Sequence, residues 1–109
     1  HYGGDFPLWL APQQAVVLPI TDRQRAYAAE IAVGLGQAGF RCGVDDRSEK
    51  IGRKVRDAEL MRVPYMLIVG AREAERGQVA PRHRGEGDLG AMSLSALVER
   101  MKREIAVLR

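Results

Sequence analysis

Residues 64–70 read PYMLIVG, a run of five apolar side chains between a proline and a glycine. A short, continuously apolar run is typical of a strand that helices cover on both faces of a sheet. Proline is tolerated at the first residue of a strand, and glycine frequently ends one. The run therefore predicts the central strand of an α/β sheet.

Two further strand and helix pairs precede this run. Residues 14–20 predict the first strand, and Thr21 with Gln24 forms a capping box that begins a helix. Gly39 is placed to end that helix, and residues 40–44 predict the second strand. The apolar residues at helical spacing between these points are Ala28, Ile31, Leu35 and Ala38.

The second helix is expected after the capping oxygens of Asp45, Asp46 and Ser48, and Pro64 stops it. Its shared face comprises Ile51, Val55, Ala58 and Arg62. An amphipathic helix is expected from about residue 94 to 108, behind Ser93, and a short strand near residues 78–82. The order predicts a three-layer α/β/α sandwich with a mixed sheet of about five strands and three main helices.

The domain organisation is simple. Residues 1–13 carry two Gly, two Pro and no sustained period, so we interpret them as a lead-in segment, with residues 14–109 as the domain. Because the chain begins at His1 without a methionine or a leader, we expect it to be a piece of a longer protein.

Composition limits the classes of function. The chain has 109 residues, 46% hydrophobic and 28% charged, which is typical of a globular domain. Its apolar runs are too short to span a membrane, so a cytoplasmic location is the default. The net charge of +3 mildly favours a polyanionic partner. Cys42 is the single cysteine, which excludes a disulfide or a thiolate zinc site within the chain.

Catalytic chemistry finds little support. Adjacent Asp45 and Asp46 would point to opposite faces of a strand, so they cannot act as an acid/base pair. Gly34 and Gly36 fall late in a helix, where no dinucleotide loop forms. His83 has no metal-ligating neighbours, and two interpretations stay open for it: an exposed residue at a strand end, or a ring that stacks on an RNA base.

Basic residues are more informative. They gather on and before the second helix and on the short strand, and we expect these two elements to lie near the same end of the sheet. The residues are Arg47, Lys50, Arg53, Lys54, Arg56, Arg62, Arg82 and Arg84. Acidic Glu49, Asp57 and Glu59 are interspersed, so a solvated helix with local ion pairs is the alternative to an RNA surface.

Five segments carry a resemblance to a known family. They are FPLWLAPQQ at 6–14, ITD at 20–22, DRSEKIG at 46–52, RVPYMLIVG at 62–70 and DLG at 88–90. In order, and across nearly the whole chain, they resemble the C-terminal anticodon-binding domain of threonyl-tRNA synthetases. The PLWLAP run favours the threonine enzyme over its prolyl, histidyl and glycyl relatives.

The resemblance implies that catalysis and tRNA recognition lie in different parts of a longer parent protein. The parent protein would be a ligase that attaches threonine to tRNA with ATP, and its class II catalytic core would hold zinc and ATP with Mg²⁺. This chain would bind no cofactor or metal, perform no catalysis and recognise the anticodon stem-loop of threonine tRNA. The parent would dimerise through its core, and the chain alone would be a monomer.

The resemblance also implies site residues. Glu73 and Arg82 match positions that contact anticodon bases, together reading the second and third positions. Positions at or near the tRNA backbone are matched by Arg47, Ser48, Lys50, Arg56 and Arg62. Two departures stand out: Ser48 occurs where many relatives have Asn, and Pro81 replaces an apolar residue and removes a ladder donor beside Arg82.

Two alternatives are weighed beside this reading. A free-standing or fused relative could have kept the fold and acquired another RNA or protein partner. A small flavodoxin-like or thiol-dependent enzyme would need a reactive Cys42, whose only adjoining basic residue is Arg41.

Overall fold

The computed structural model describes residues 6–108, with side chains through residue 107. The first five residues of the predicted lead-in, including His1, and Arg109 lie outside this range. The strands are β1 (Ala15–Pro19), β2 (Cys42–Val44), β3 (Tyr65–Val69), β4 (Gln78–His83), β5 (Gly87–Asp88) and β6 (Met92–Ser93). The α-helices are α1 (Arg25–Gln37), α2 (Ile51–Leu60), α3 (Ala71–Arg76) and α4 (Leu94–Leu108). Short 3-10 turns occupy Leu8–Leu10 and Asp22–Gln24.

The strands form one mixed sheet in the order β2-β1-β3-β4-β5, with β6 pairing to the start of β4. β1 runs parallel to β2 and β3, and β4 runs antiparallel to β3. The run that begins at Tyr65 is therefore the middle strand, as predicted. The predicted α/β class with a mixed sheet is confirmed, although β5 and β6 make the sheet larger by short edge segments.

The two faces of β3 bury different sets of residues. Tyr65, Leu67 and Val69 pack in a core with α1 and α4. Met66 lies on the opposite face, with Val16, Leu18 and Ala58 of α2. Because every β3 side chain except the partly exposed Ile68 is buried, the strand is apolar throughout. Helices on both faces make the three layers.

The end of α2 differs from the prediction. The helix ends at Leu60, and Val63 N donates to Ala58 O at 3.2 Å in a Schellman-type cap. Arg62 has a left-handed backbone with φ of 59°, in the position that usually carries glycine. The spacing predicted that Arg62 shares the buried face of α2. This prediction is wrong, because Arg62 lies beyond the end of the helix.

Residues 71–76 form a helix that the sequence reading did not identify. In α3, no residue is fully buried, so the segment lacks the apolar stripe by which amphipathic helices are recognised. Its first turn is held by Glu73, whose carboxylate accepts a hydrogen bond from Gly70 N at 2.7 Å. Gly77 ends it with a left-handed backbone, φ 65°.

Residues 6–13 pack on the rest of the chain. Leu8 is fully buried in the α1 and α4 core, and Gln14 Nε2 donates to its carbonyl at 3.0 Å. The Arg41 guanidinium donates to the carbonyl oxygens of Trp9, Ala11 and Pro12. A single guanidinium thus ties this segment to β2. The boundary at residue 13 stays a prediction.

Candidate nucleic-acid interface

The face of the sheet that carries α2 is only partly covered. α2 packs over β1, and Ile51, Val55 and Ile68 of β3 pack against the same buried cluster. Beyond them, β4 pairs Ala80 with Ile68 and Arg82 with Met66, which places these side chains on the same face. Ile68, Ala80 and Arg82 remain partly exposed. We call these three residues the open sheet face.

Arg82 is the charged residue of the open sheet face. It lies across from Met66 on β3 and Asp88 on β5, so both neighbours fix its backbone. Its guanidinium makes no hydrogen bond or ion pair with any residue between 6 and 107. It therefore keeps its planar set of donors available for a ligand.

Pro81 leaves the pairing of β3 with β4 beside Arg82 intact. Arg84 N donates to Pro64 O at 3.0 Å, and bonded pairs alternate in an antiparallel ladder, so Arg82 and Met66 form a bonded pair while Pro81 and Leu67 do not. On its other side, Pro81 O accepts from Leu89 N at 3.0 Å. The donor that proline lacks would therefore face Leu89, so its loss costs the pairing toward β5 one bond and the pairing of β3 with β4 nothing.

Glu73 lies beyond the carboxyl end of β3. One carboxylate oxygen, Oε1, caps the start of α3, and the side chain is partly exposed, so the second oxygen can accept from a ligand. A Cβ on Gly70 would lie 2.7 Å from Ile20 Cδ1 and 3.2 Å from Glu73 Oε1, so a larger residue there would require these side-chain ends to shift. Arg82 pairs with Met66 of β3, and Gly70 follows Met66 by four residues, which corresponds to roughly 13 Å along the strand. Along the strand direction, Arg82 thus lies near the amino end of β3 and Glu73 lies beyond its carboxyl end.

The loop before α2 holds Arg47 in an ion-pair network. Its guanidinium donates to Asp45 at 2.7 and 2.9 Å and to Asp57 at 2.9 Å. The hydrogen bond from Arg47 holds the pKa of Asp45 below its ordinary value. These residues line the groove between α2 and β2, whereas the open sheet face lies on the other side of α2. The structure does not bring Arg47 together with Arg82.

Ser48 is held from the first helix. Arg25 Nη2 donates to Asp46 O at 2.7 Å and lies 3.4 Å from Ser48 Oγ. The loop is therefore bound to the first residue of α1. Ser48 is exposed at the carboxyl end of the parallel strands. Lys50, directly before α2, is exposed at the same end.

The remaining basic residues of α2 and its end differ in burial and in ion pairing. Lys54 is 3% exposed and donates to Pro19 O at 2.9 Å, so it is a structural residue beneath α2. Arg53 lies 3.7 Å from Asp57. Arg56 is exposed on α2 and makes no ion pair within the described part of the chain. Arg62 is exposed at the amino end of β3, where its carbonyl accepts from Arg84 Nη1 at 3.3 Å.

The expectation that the basic residues of α2 and β4 lie near one end of the sheet is wrong. α2 begins beside the carboxyl ends of the parallel strands and returns to the amino end of β3, because it is the crossover between two parallel strands. Lys50 and Ser48 therefore lie at one end and Arg62 and Arg82 toward the other. The positive charge forms a band along the domain.

His83 lies on the opposite face from Arg82. Its side chain is 13% exposed and packs edge-on against the Tyr65 ring, with 4.9 Å between ring centres. Its Nε2 lies 3.2 Å from Glu104 of α4. His83 ends β4, as the sequence suggested, but its side chain is mostly buried and not exposed. That its ring stacks on an RNA base stays a prediction, although α4 covers the face to which the ring points.

The groups that an enzyme would use are poorly placed. Burial raises the pKa of the Cys42 thiol to about 12, so almost no thiolate exists near neutral pH. Residues 6–107 contain no group of three or more His, Cys, Asp or Glu side chains that could hold a metal ion. A groove of about 550 Å³ between α2 and β2 is lined by apolar side chains, among them Val16, Leu18 and Val44, and by nearly as many polar or charged ones. No helix within residues 6–108 is long and apolar enough to cross a bilayer.

Comparisons with known families and proteins agree with one another. The family model described as anticodon binding domain matches residues 14–104. The threonine–tRNA ligase of Symbiobacterium thermophilum is 54% identical over 106 residues, which cover 97% of this chain and 16% of that protein. The threonine–tRNA ligase of Halorhodospira halophila is 56% identical over 106 residues, covering 97% and 17%. The chain thus spans about a sixth of the length of these curated relatives.

Two solved structures have the same fold. The RNA binding domain of threonyl-tRNA synthetase from Cryptosporidium parvum Iowa II superposes with a TM-score of 0.90 at 31% identity, covering 95% of this chain and 26% of that one. Prolyl-tRNA synthetase from Cryptosporidium parvum, complexed with halofuginone and AMPPNP, gives a TM-score of 0.83 at 25% identity, covering 94% and 22%.

Proposed function

Because the chain belongs to the anticodon-binding domain family, we propose that it is the tRNA-reading domain of a threonine–tRNA ligase. The observation that carries this proposal is identity of 54% and 56% to two threonine ligases over 97% of the chain. In this proposal the chain itself performs no catalysis. The parent enzyme would attach threonine to tRNA in the cytoplasm, and its zinc, ATP and Mg²⁺ would be held outside this chain.

The open sheet face supports base recognition. Anticodons for threonine carry guanine at the second position and uracil at the third, and a single-stranded loop exposes both base edges. The uncommitted oxygen of Glu73 suits the two donors on the guanine edge. The guanidinium of Arg82, which has no partner among residues 6–107, suits the carbonyl oxygens of uracil. Apolar Ile68 and Ala80 between them offer a flat surface for the bases.

The exposed cations would hold the tRNA backbone. Lys50, Arg56 and Arg62 extend along the domain and can contact phosphates without reading sequence. Arg47 would contribute less, because Asp45 and Asp57 already balance its charge. Ser48 has only a hydroxyl, so it offers a base or a phosphate fewer hydrogen bonds than asparagine would.

The proposal is tested by fluorescence anisotropy of the 109-residue chain with a threonine anticodon stem-loop. Two further stem-loops carry a changed second or third base, and all are measured at one stated salt concentration. We expect each change to weaken binding by about 1 kcal/mol or more. Equal binding of the three RNAs would contradict base reading and favour a domain adapted to another partner. Light scattering of the same sample tests the expectation of a monomer.

Substitution of Glu73 separates its two roles. Glu73→Gln keeps an oxygen for the Gly70 amide, so the stability should be unchanged, but it replaces a carboxylate that accepts from guanine. We expect it to abolish discrimination at the second position. Glu73→Ala should abolish the same discrimination and also lower the free energy of unfolding by about 1 kcal/mol, because the cap is lost. Retained discrimination in Glu73→Gln would show that Glu73 only caps α3.

Replacement of Arg62 by glycine should stabilise the domain while it weakens RNA binding. A left-handed residue other than glycine costs about 1–2 kcal/mol, and the extra freedom of glycine in the unfolded chain returns part of this. Arg62→Gly should therefore raise the free energy of unfolding in urea by roughly 0.5–1 kcal/mol. Affinity should fall equally for all three stem-loops, with a shallower dependence on salt.

Arg62→Ala is the matched control, since it removes the guanidinium but keeps the left-handed strain. It should weaken RNA binding as much as Arg62→Gly and give no stabilisation. Unchanged affinity in both variants would remove Arg62 from the phosphate contacts.

A further inference from the structure

The hairpin that follows Arg82 is held by one imidazole ring. His83 is the last residue of β4, and its Nδ1 accepts hydrogen bonds from Gly85 N at 3.0 Å and Glu86 N at 3.1 Å. A nitrogen that accepts from two amides cannot carry a proton, so the ring proton is on Nε2. The turn between β4 and β5 therefore depends on this tautomer.

The other edge of the ring faces α4. His83 Nε2 lies 3.2 Å from Oε1 of Glu104, and the Tyr65 hydroxyl donates to the same oxygen at 2.7 Å. Burial alone would raise the pKa of Glu104, but its contacts with His83 and Tyr65 hold it below the ordinary value. The carboxylate is thus ionised near neutral pH and favours a proton on Nε2.

A second contact ties the same turn to α4. Arg100 Nη2 donates to Glu86 Oε1 at 2.6 Å, one residue before β5. The turn therefore contacts α4 at both of its ends: His83 packs beside Glu104, and Glu86 is hydrogen-bonded to Arg100. Gly87, with φ of 79°, completes the reversal of the chain. The short β5 has little pairing of its own, because it comprises two residues.

From this geometry we infer that His83 is a positioning residue for Arg82. Side chains alternate along β4, so His83 anchors the α4 side of the strand while Arg82 faces the open sheet face. By closing the turn, His83 keeps Asp88 paired across from Arg82 and so fixes the strand that carries the guanidinium. His83 acts on the RNA through the backbone and not by contact. This inference rests on the proposed role of Arg82 in base reading.

Two conservative substitutions divide the functions of the imidazole. The side-chain oxygen of His83→Asn can take the place of Nδ1 and accept from the Gly85 and Glu86 amides. The longer side chain of His83→Gln reaches the place of Nε2 and Glu104 but leaves the two amides without an acceptor. If the turn is what positions Arg82, asparagine should preserve base discrimination and glutamine should not.

The test measures anisotropy of wild type, His83→Asn, His83→Gln and Arg82→Ala with the threonine anticodon stem-loop and its third-position variant. Hydrogen exchange of the Gly85 and Glu86 amides is followed by NMR in the same samples. We expect asparagine to keep slow exchange and discrimination within about twofold of wild type, and glutamine to lose both, with at least a fivefold loss of discrimination.

The outcomes separate this inference from the proposed function. If Arg82→Ala abolishes discrimination but His83→Gln retains it, the positioning role is overturned and the base-reading role stands. If both His83 variants lose discrimination equally, the ring serves packing and not the turn, which also overturns the inference. If Arg82→Ala leaves discrimination unchanged, the role proposed for Arg82 fails, and the role of His83 fails with it.

Discussion

Arg82→Ala is expected to abolish discrimination at the third anticodon position, with a loss of about 1–3 kcal/mol in binding to the threonine anticodon stem-loop. The effect should be large because the guanidinium has no partner among residues 6–107 that would compete with the base. Its strand is fixed on both sides, so little ordering is needed on binding. Fluorescence anisotropy with matched and changed stem-loops measures both quantities.

Two control variants sharpen this experiment. Arg82→Lys keeps the charge but not the planar fork, so we expect it to retain part of the affinity and little of the base preference. Arg103→Ala removes the same charge from an exposed position on α4, which covers the other face of the sheet, and should change neither. If Arg82→Lys discriminates as well as wild type, Arg82 acts as a point charge on phosphate and not as a reader of bases.

Leu67→Ala should destabilise the domain by about 2–5 kcal/mol, because it leaves a cavity beside the middle strand of the sheet. Leu67 is 0% exposed, lies between β1 and β4 and packs in the core shared by α1 and α4. Neighbours from four elements cannot all move to fill the space. Urea unfolding followed by circular dichroism measures the loss.

Leu60→Ala is the matched control, since the same atoms are removed from a side chain that is 69% exposed at the end of α2. It should change stability by about 0.5 kcal/mol or less. Below the temperature at which Leu67→Ala unfolds, RNA discrimination should equal that of wild type, because Leu67 faces away from the open sheet face. A Leu67→Ala effect as small as that of Leu60→Ala would contradict the position of β3 at the centre of the core.

Much of the fold was accessible from the sequence. The apolar run at residues 65–69 and the capping box at Thr21 and Gln24 are local signals with a clear physical cause, and the structure has a central strand and a formed capping box at these positions. The family could also be predicted, because segments that resemble it occur in order along nearly the whole chain. α3 was not accessible, since its stability comes from one cap and from packing on its neighbours and not from a periodic pattern.

The partners of individual side chains were not accessible. Lys54 and Arg56 are two residues apart and equally basic, yet Lys54 is buried against Pro19 O and Arg56 is exposed. Arg47 and Arg82 were both predicted to contact tRNA, but two carboxylates, one in the loop before α2 and one in α2, balance the charge of Arg47. His83 carried no signal that would have placed it against Tyr65 and Glu104, which are distant along the chain.

The sequence by itself determined the order of the elements, the central strand and the family. Periodicity, helix caps and the segments that resemble the family are all properties of residues that are neighbours in the sequence. Only the tertiary structure decided which of the described basic residues are buried or paired, as for Lys54 and Arg47, and that His83 packs against Tyr65 and Glu104. Those outcomes depend on which distant elements come into contact, and the free energy of burying or pairing a charge is set by these contacts and not by its neighbours in sequence.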